Sequence, residues 1–148
     1  MNAQNIAQEE WIRWTPLGDL PTKCYINAIE VIADQLTIFL YNEKEACTIS
    51  LKYKNNFYTY KTSEEICHID FLDDIIIKCG KDLIFESRFF IVHNSSYIAW
   101  LVGQSGGLLQ ADNLQHYFIL GATSVVDVIA LQEPEVTITY NPPELSKD

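Results

Sequence analysis

The chain has 148 residues, 48% of them hydrophobic and 12% aromatic, with 10 Lys and Arg against 20 Asp and Glu for a net charge of −10. That content suits a globular domain with one real core and argues against a disordered chain. The negative excess argues against nucleic acid or an anionic membrane surface as a direct partner, because phosphate recognition rests on clustered Lys and Arg.

Residues 1–10 read as a polar lead-in with neither a basic n-region nor an apolar h-region, so no secretory leader is expected. No apolar run approaches the roughly 18 to 20 residues of a membrane helix. The cysteines Cys24, Cys47, Cys67 and Cys79 are scattered, which fits free thiols in a reducing cytoplasm. Trp11, Trp14 and Leu17 precede a Gly18-Asp19 turn, and aromatics so placed usually plug the end of a core.

From Cys24 to Lys61 the pattern is a β-meander. Cys24 to Ile32 is β-rich, Ala33-Asp34-Gln35 turns, and Leu36 to Tyr41 forms the second strand. In the third, Cys47, Ile49, Leu51 and Tyr53 alternate with Thr48, Ser50, Lys52 and Lys54, as in an antiparallel strand with one wet face. Asn55-Asn56 tolerates positive φ and suggests a tight hairpin to Phe57-Tyr58-Thr59-Tyr60. Thr62 to Glu65 has the form of a capping box. Residues 62–83 fit either a helix or a hairpin, and periodicity does not choose between them.

Phe89 to Val92 is a strand closed by His93-Asn94-Ser95-Ser96, with Asn94-Ser95-Ser96 read as the cap of a short helix carrying Ile98, Leu101 and Val102. Gly103-Gln104-Ser105-Gly106-Gly107 spells the G-x-S-x-G string of serine hydrolases. That string works at a strand-to-helix turn, whereas here it follows a helix, so Ser105 is read as part of an exit loop. Gln115 to Leu120 is a further strand. Gly121 and Thr123-Ser124 open an expected second helix, with Asp127 in its first turn, stopped by Pro134 before Val136 to Tyr140.

Metal-ligand spacing is missing. Cys67-His68, Cys79 and His93 form no paired-ligand motif, and His93 and His116 flank apolar strands where core or edge histidines are usual. No metal and no cofactor is expected. The expected fold is α+β over residues 1–148: an antiparallel sheet of about six strands, begun by the N-terminal meander, with two or three helices packed on it. Residues 1–10 and 141–148 are expected to be loose tails.

Phe90-Ile91-Val92-His93-Asn94-Ser95-Ser96-Tyr97-Ile98-Ala99-Trp100, then His116-Tyr117-Phe118-Ile119, then Asp127-Val128-Ile129 with Pro134, together resemble small acidic bacterial proteins. Comparable proteins look like the immunity partners of polymorphic or contact-dependent toxins. The resemblance implies a compact, cytoplasmic, non-enzymatic protein that blocks a toxin domain, and it carries over no functional residue.

Charge placement agrees with that implication. No Lys or Arg occurs from Phe89 to Ser146, a stretch that holds Asp112, Asp127, Glu133, Glu135 and Glu144. The leading expectation is an inhibitor without catalytic residues that occludes a basic partner, most concretely a nuclease toxin domain. Asp112, Glu133 and Glu135 would supply charge, and Tyr97 and Trp100 would be the anchors. The alternative is a small-molecule-binding or hydrolytic domain with a pocket lined by Trp14, Tyr53, Tyr58 and Tyr60. A structural, self-associating domain is a third possibility.

Overall fold

In a computed structural model the chain is described at residues 9–15, 18, 21, 23–64, 73, 76, 77, 80 and 88–141. Nine strands run through these residues: β1 (Glu10–Arg13), β2 (Tyr25–Ile32), β3 (Gln35–Asn42), β4 (Cys47–Lys54), β5 (Phe57–Glu64), β6 (Phe89–His93), β7 (Gln115–Leu120), β8 (Ser124–Ala130) and β9 (Glu135–Tyr140). Helix α1 (Ser96–Gln104) and a 3₁₀ turn at Ala111–Asn113 lie between β6 and β7. The strands form two antiparallel sheets, ordered β1-β6-β7-β8-β5 and β2-β3-β4-β9.

Period-2 sequence builds the four-stranded sheet. Leu36, Ile38 and Leu40 of β3 and Ile49, Leu51 and Tyr53 of β4 all point inward and are buried. Ile38 stands opposite Leu51, and Leu51 opposite Val136 of β9. The alternate residues Thr37, Phe39, Thr48, Ser50 and Lys52 are partly exposed, as a one-sided antiparallel sheet requires. The inward row meets Phe89, Tyr117, Ile119, Val126, Val128 and Ala130 of the five-stranded sheet in one core, which Trp14 closes. Trp14 packs 5.0 Å from Tyr117, and Tyr53 lies 5.6 Å from the same ring. At these separations the rings contribute beyond their area burial.

The five-stranded sheet is covered on its other face as well. Trp11, Phe90, Val92, Phe118, Leu120 and Val125 form one cluster there. Tyr97 and Ile98 of α1 form another with Leu114 and Ile129. Strands β7 and β8 are therefore buried on both faces. Their apolar residues run together without alternation, from Tyr117 to Leu120 in β7 and from Val125 to Ala130 in β8, the latter broken by Asp127.

That double burial overturns the expected α+β fold of about six strands and two or three helices. Residues 124–130 form β8, and among the described residues α-helix is confined to α1 and the isolated positions Asp73, Ile76 and Ile77. A run apolar on every side satisfies a buried helix and a doubly covered strand alike, so periodicity does not separate them. Val125, Val126, Val128 and Ile129 are β-branched, which favours the strand. Asp127 accordingly sits in mid-strand and caps no helix.

Three further expectations are corrected. The Asn55-Asn56 link, with Asn55 at φ 56°, is not a hairpin loop, because β4 pairs with β3 and β9 while β5 pairs with β8. It carries the chain from one sheet to the other, held by Asn55 N–H to Asp34 O and Leu131 N–H to Asn56 O. Thr62 does not cap a helix: it lies in β5 and its hydroxyl donates to Val125 O at 2.9 Å. The polar lead-in ends earlier than expected, since Glu9 is buried and β1 starts at Glu10. Most of residues 62–83, with Cys67, His68 and Cys79, lies outside the described residues.

Cys24 and Cys47 are buried. Burial, then neighbouring Cys47, pushes the Cys24 thiol up to about 11, and burial raises Cys47 too. Because the fold disfavours the thiolate, their contribution to stability falls as pH rises from the ordinary thiol range toward 11. Iodoacetamide at pH 8 should leave both unmodified in the native protein and alkylate them in urea. Rapid native-state modification of Cys24 would contradict this placement.

Candidate functional site

The polar chemistry of the fold concentrates on the outer face of the five-stranded sheet, at the N-terminus of α1. Strand β6 ends at His93, Asn94 turns the chain at φ 55°, and Ser95 becomes the N-cap, its Oγ accepting from Ile98 N–H at 3.1 Å. Ser/Thr/Asp/Asn caps commonly hold a helix end in this way. Here the cap continues into a chain of side chains. Ser95 Oγ lies 2.7 Å from His116 Nδ1, and His116 Nε2–H donates to Asp127 Oδ1 at 2.6 Å.

Register explains the meeting. Phe118 stands opposite Asp127, and Ile129 opposite His116, so His116 and Asp127 are diagonal neighbours on one face. With Asp127 accepting at Nε2–H and the Ser95 hydroxyl turned toward Nδ1, both ring nitrogens and the serine oxygen are satisfied. Ser95, His116 and Asp127 are all buried.

The N-terminal segment closes the site. Glu9 Oε1 accepts from Ser96 N–H at 2.8 Å and from Ser96 Oγ–H at 2.5 Å, placing a carboxylate at the positive end of the helix. Trp11 packs edge-on against Phe118 at 4.7 Å and against His116 at 6.5 Å. On the other flank the Tyr97 ring lies 5.6 Å from His116, and its hydroxyl shares a 3.0 Å hydrogen bond with Thr59 of β5. Burial raises the Tyr97 phenol above its ordinary range, against the bond with Thr59. Lys61, opposite Asp127 on β5, lays its Nζ 4.4 Å over the Tyr97 ring.

The residues named for partner binding fall in different places. Tyr97 is buried, whereas Trp100, one turn further along α1, is 54% exposed with its ring 6.0 Å from Tyr97. Asp112 is exposed in the 3₁₀ turn that follows α1. Glu133 is exposed in the link between β8 and β9. Glu135 belongs to the opposite layer, on the outer face of the four-stranded sheet. Lys54 holds it at 3.0 Å, and that bond and charge draw its carboxyl below the usual range. Trp100 and Asp112 thus belong to α1 and the 3₁₀ turn that follows it, whereas Glu135 belongs to the four-stranded sheet.

The four rings of the pocket reading do not converge. Trp14 and Tyr53 are core, and Tyr58 and Tyr60 are exposed. Ser105 is a helix-exit residue, its Oγ donating to Val102 O and accepting from Leu109 N–H. The Ser95–His116–Asp127 chain is hidden from sequence reasoning, because an expected helix over residues 124–130 points Asp127 away from the β7 register that brings it to His116. The signal was present in Asn94-Ser95, a capping serine directly after a strand. Among the described residues, no three His, Cys, Asp or Glu side chains are grouped to hold a metal ion, and no helix is long and apolar enough to cross a membrane. Comparison with protein-family models, curated proteins and solved structures returns no match to this chain.

Proposed function

We propose that the protein is an immunity-type inhibitor that acts in the cytoplasm, binding a basic toxin domain, most concretely a nuclease, and covering its cationic cleft. One observation supports this reading above the rest. The half-exposed indole of Trp100 projects from α1 in a stretch of chain, Phe89 to Ser146, that contains no Lys or Arg, with Asp112 exposed shortly after it. An aromatic anchor beside acidic groups suits a cationic counterpart, the acids steering encounter and the ring setting residence time. A standard interface would take roughly 800 Å² from each partner. Trp100, exposed Leu108 and Asp112 lie within the same fourteen-residue stretch, 100–113.

Co-expression with the product of the adjacent upstream gene, followed by co-purification and stopped-flow binding, tests the proposal. Asp112→Lys with Glu133→Lys should slow association about tenfold or more at low salt and little at high salt, where exposed charges are screened beyond a Debye length of ~3 Å at 1 M. Trp100→Ala should leave the on-rate nearly unchanged and raise the off-rate. A salt-independent on-rate with full inhibition by the double reversal would defeat the electrostatic mechanism.

A further inference from the structure

From the geometry around Ser95 we infer a second chemistry, separate from partner binding. Ser95, His116 and Asp127 form a latent serine-nucleophile site for short-chain carboxylic esters, held closed by Glu9.

Four features of the structure support it together. Ser95 sits at a strand–turn–helix junction, between β6 and α1, with a left-handed residue immediately before it. Its hydroxyl is 2.7 Å from an imidazole nitrogen whose opposite nitrogen donates to a buried carboxylate at 2.6 Å. That is the nucleophile, base and orienting group of acyl-transfer chemistry. The roles of the two ring nitrogens are interchanged relative to the common triad. Either nitrogen can take a proton while the carboxylate holds the other. The third feature is the N–H of Ser96, the residue after the nucleophile, which is where an oxyanion donor belongs at such a junction. The fourth is its present occupant. Glu9 Oε1 accepts from both Ser96 N–H and Ser96 Oγ–H, so its side chain stands in for a bound product carboxylate. Capping alone accounts for the Ser95 to Ile98 bond; it does not require a histidine–aspartate pair behind the cap.

The Glu9 side chain, a carboxylate on two methylenes, marks the place that a short acyl chain takes when Glu9 is withdrawn. Ser95 Oγ attacks the ester carbonyl carbon while its proton passes to His116 Nδ1, and Ser96 N–H and Oγ–H receive the oxyanion. Collapse breaks the ester C–O bond, and the leaving alcohol takes the proton from Nδ1. Water then attacks the acyl-serine, again giving a proton to Nδ1; collapse breaks the acyl C–Oγ bond, the proton returns from Nδ1 to Ser95 Oγ, and the carboxylic acid leaves. The atoms balance without a co-reactant other than water. Strand β1, four residues on the sheet edge and paired with β6, is the element whose displacement opens the site.

Glu9→Ala in the full chain should take up a fluorophosphonate probe on Ser95, located by peptide mass spectrometry, and should hydrolyse p-nitrophenyl acetate. Adding Ser95→Ala should abolish both. Adding His116→Ala should lower the labelling rate about 100-fold, the scale of a lost general base. Adding Ser105→Ala should change neither. Near-UV circular dichroism reports whether each variant is folded. If Glu9→Ala is not, Glu9→Gln and the parent protein, incubated for hours, should show slow labelling confined to Ser95 as β1 opens. No adduct at Ser95 in any folded form, or a Glu9→Ala hydrolysis rate unchanged by Ser95→Ala, overturns the inference.

Discussion

Asp127→Ala is expected to destabilise the protein by about 3 to 5 kcal/mol, the cost of removing one member of a buried, hydrogen-bonded pair. The carboxylate lies between Val126 and Val128 in a strand covered on both faces, and it accepts from His116 Nε2–H at 2.6 Å. Truncation leaves that donor buried without a partner. It also frees the ring that orients Ser95, and with it the cap of α1. Asp127→Asn keeps an oxygen where Nε2–H donates and loses only the charge, so about 1 to 2 kcal/mol is expected. Urea unfolding followed by tryptophan fluorescence measures both. Since domains of this size are stable by only about 5 to 15 kcal/mol, the alanine variant should lose much of its margin. An Asp127→Ala change under about 1 kcal/mol would show that the pair is not formed in solution. The Asp127→Ala with His116→Ala double variant should cost less than the sum of the singles, because the second change removes the stranded donor.

Leu51→Ala is expected to cost about 2 to 5 kcal/mol, and Lys52→Ala to stay within about 0.5 kcal/mol of the parent. Leu51 is fully buried between Ile38 of β3 and Val136 of β9, in the core that both sheets share. The neighbouring Lys52 points to the opposite face, where it lies across from Glu135. One strand therefore supplies both the probe and its control. Equal effects at the two positions would place β4 in another register, since a shift of one residue exchanges the two faces.

How much was legible depends on how each residue is surrounded. The alternation from Cys47 to Lys54 reports one dry and one wet face, and the burial of Leu51 and Tyr53 follows it. Ser95 was legible as a cap, because capping is a local contest for the first N–H groups of a helix. The site was not. Glu9 reaches Ser96 across 87 positions, Ser95 reaches His116 across 21 and His116 reaches Asp127 across 11, through the pairing of β7 with β8 and the closure by the N-terminal segment. Partner-binding candidates divided in the same way. Tyr97 and Trp100 look alike in sequence, yet one turns onto Ile129 and Thr59 and the other to solvent.

By itself, the sequence determined the net charge of −10, the cation-free stretch from Phe89 to Ser146, and the strand character of the segments with period 2. Composition and local periodicity need no neighbour to act. The tertiary structure alone decided that residues 124–130 are a strand, that Asn55-Asn56 crosses between sheets, and that Asp127 meets His116. An apolar run has no wet side to declare its period. Its conformation, and the partners of any polar group within it, are chosen by the layers that cover it.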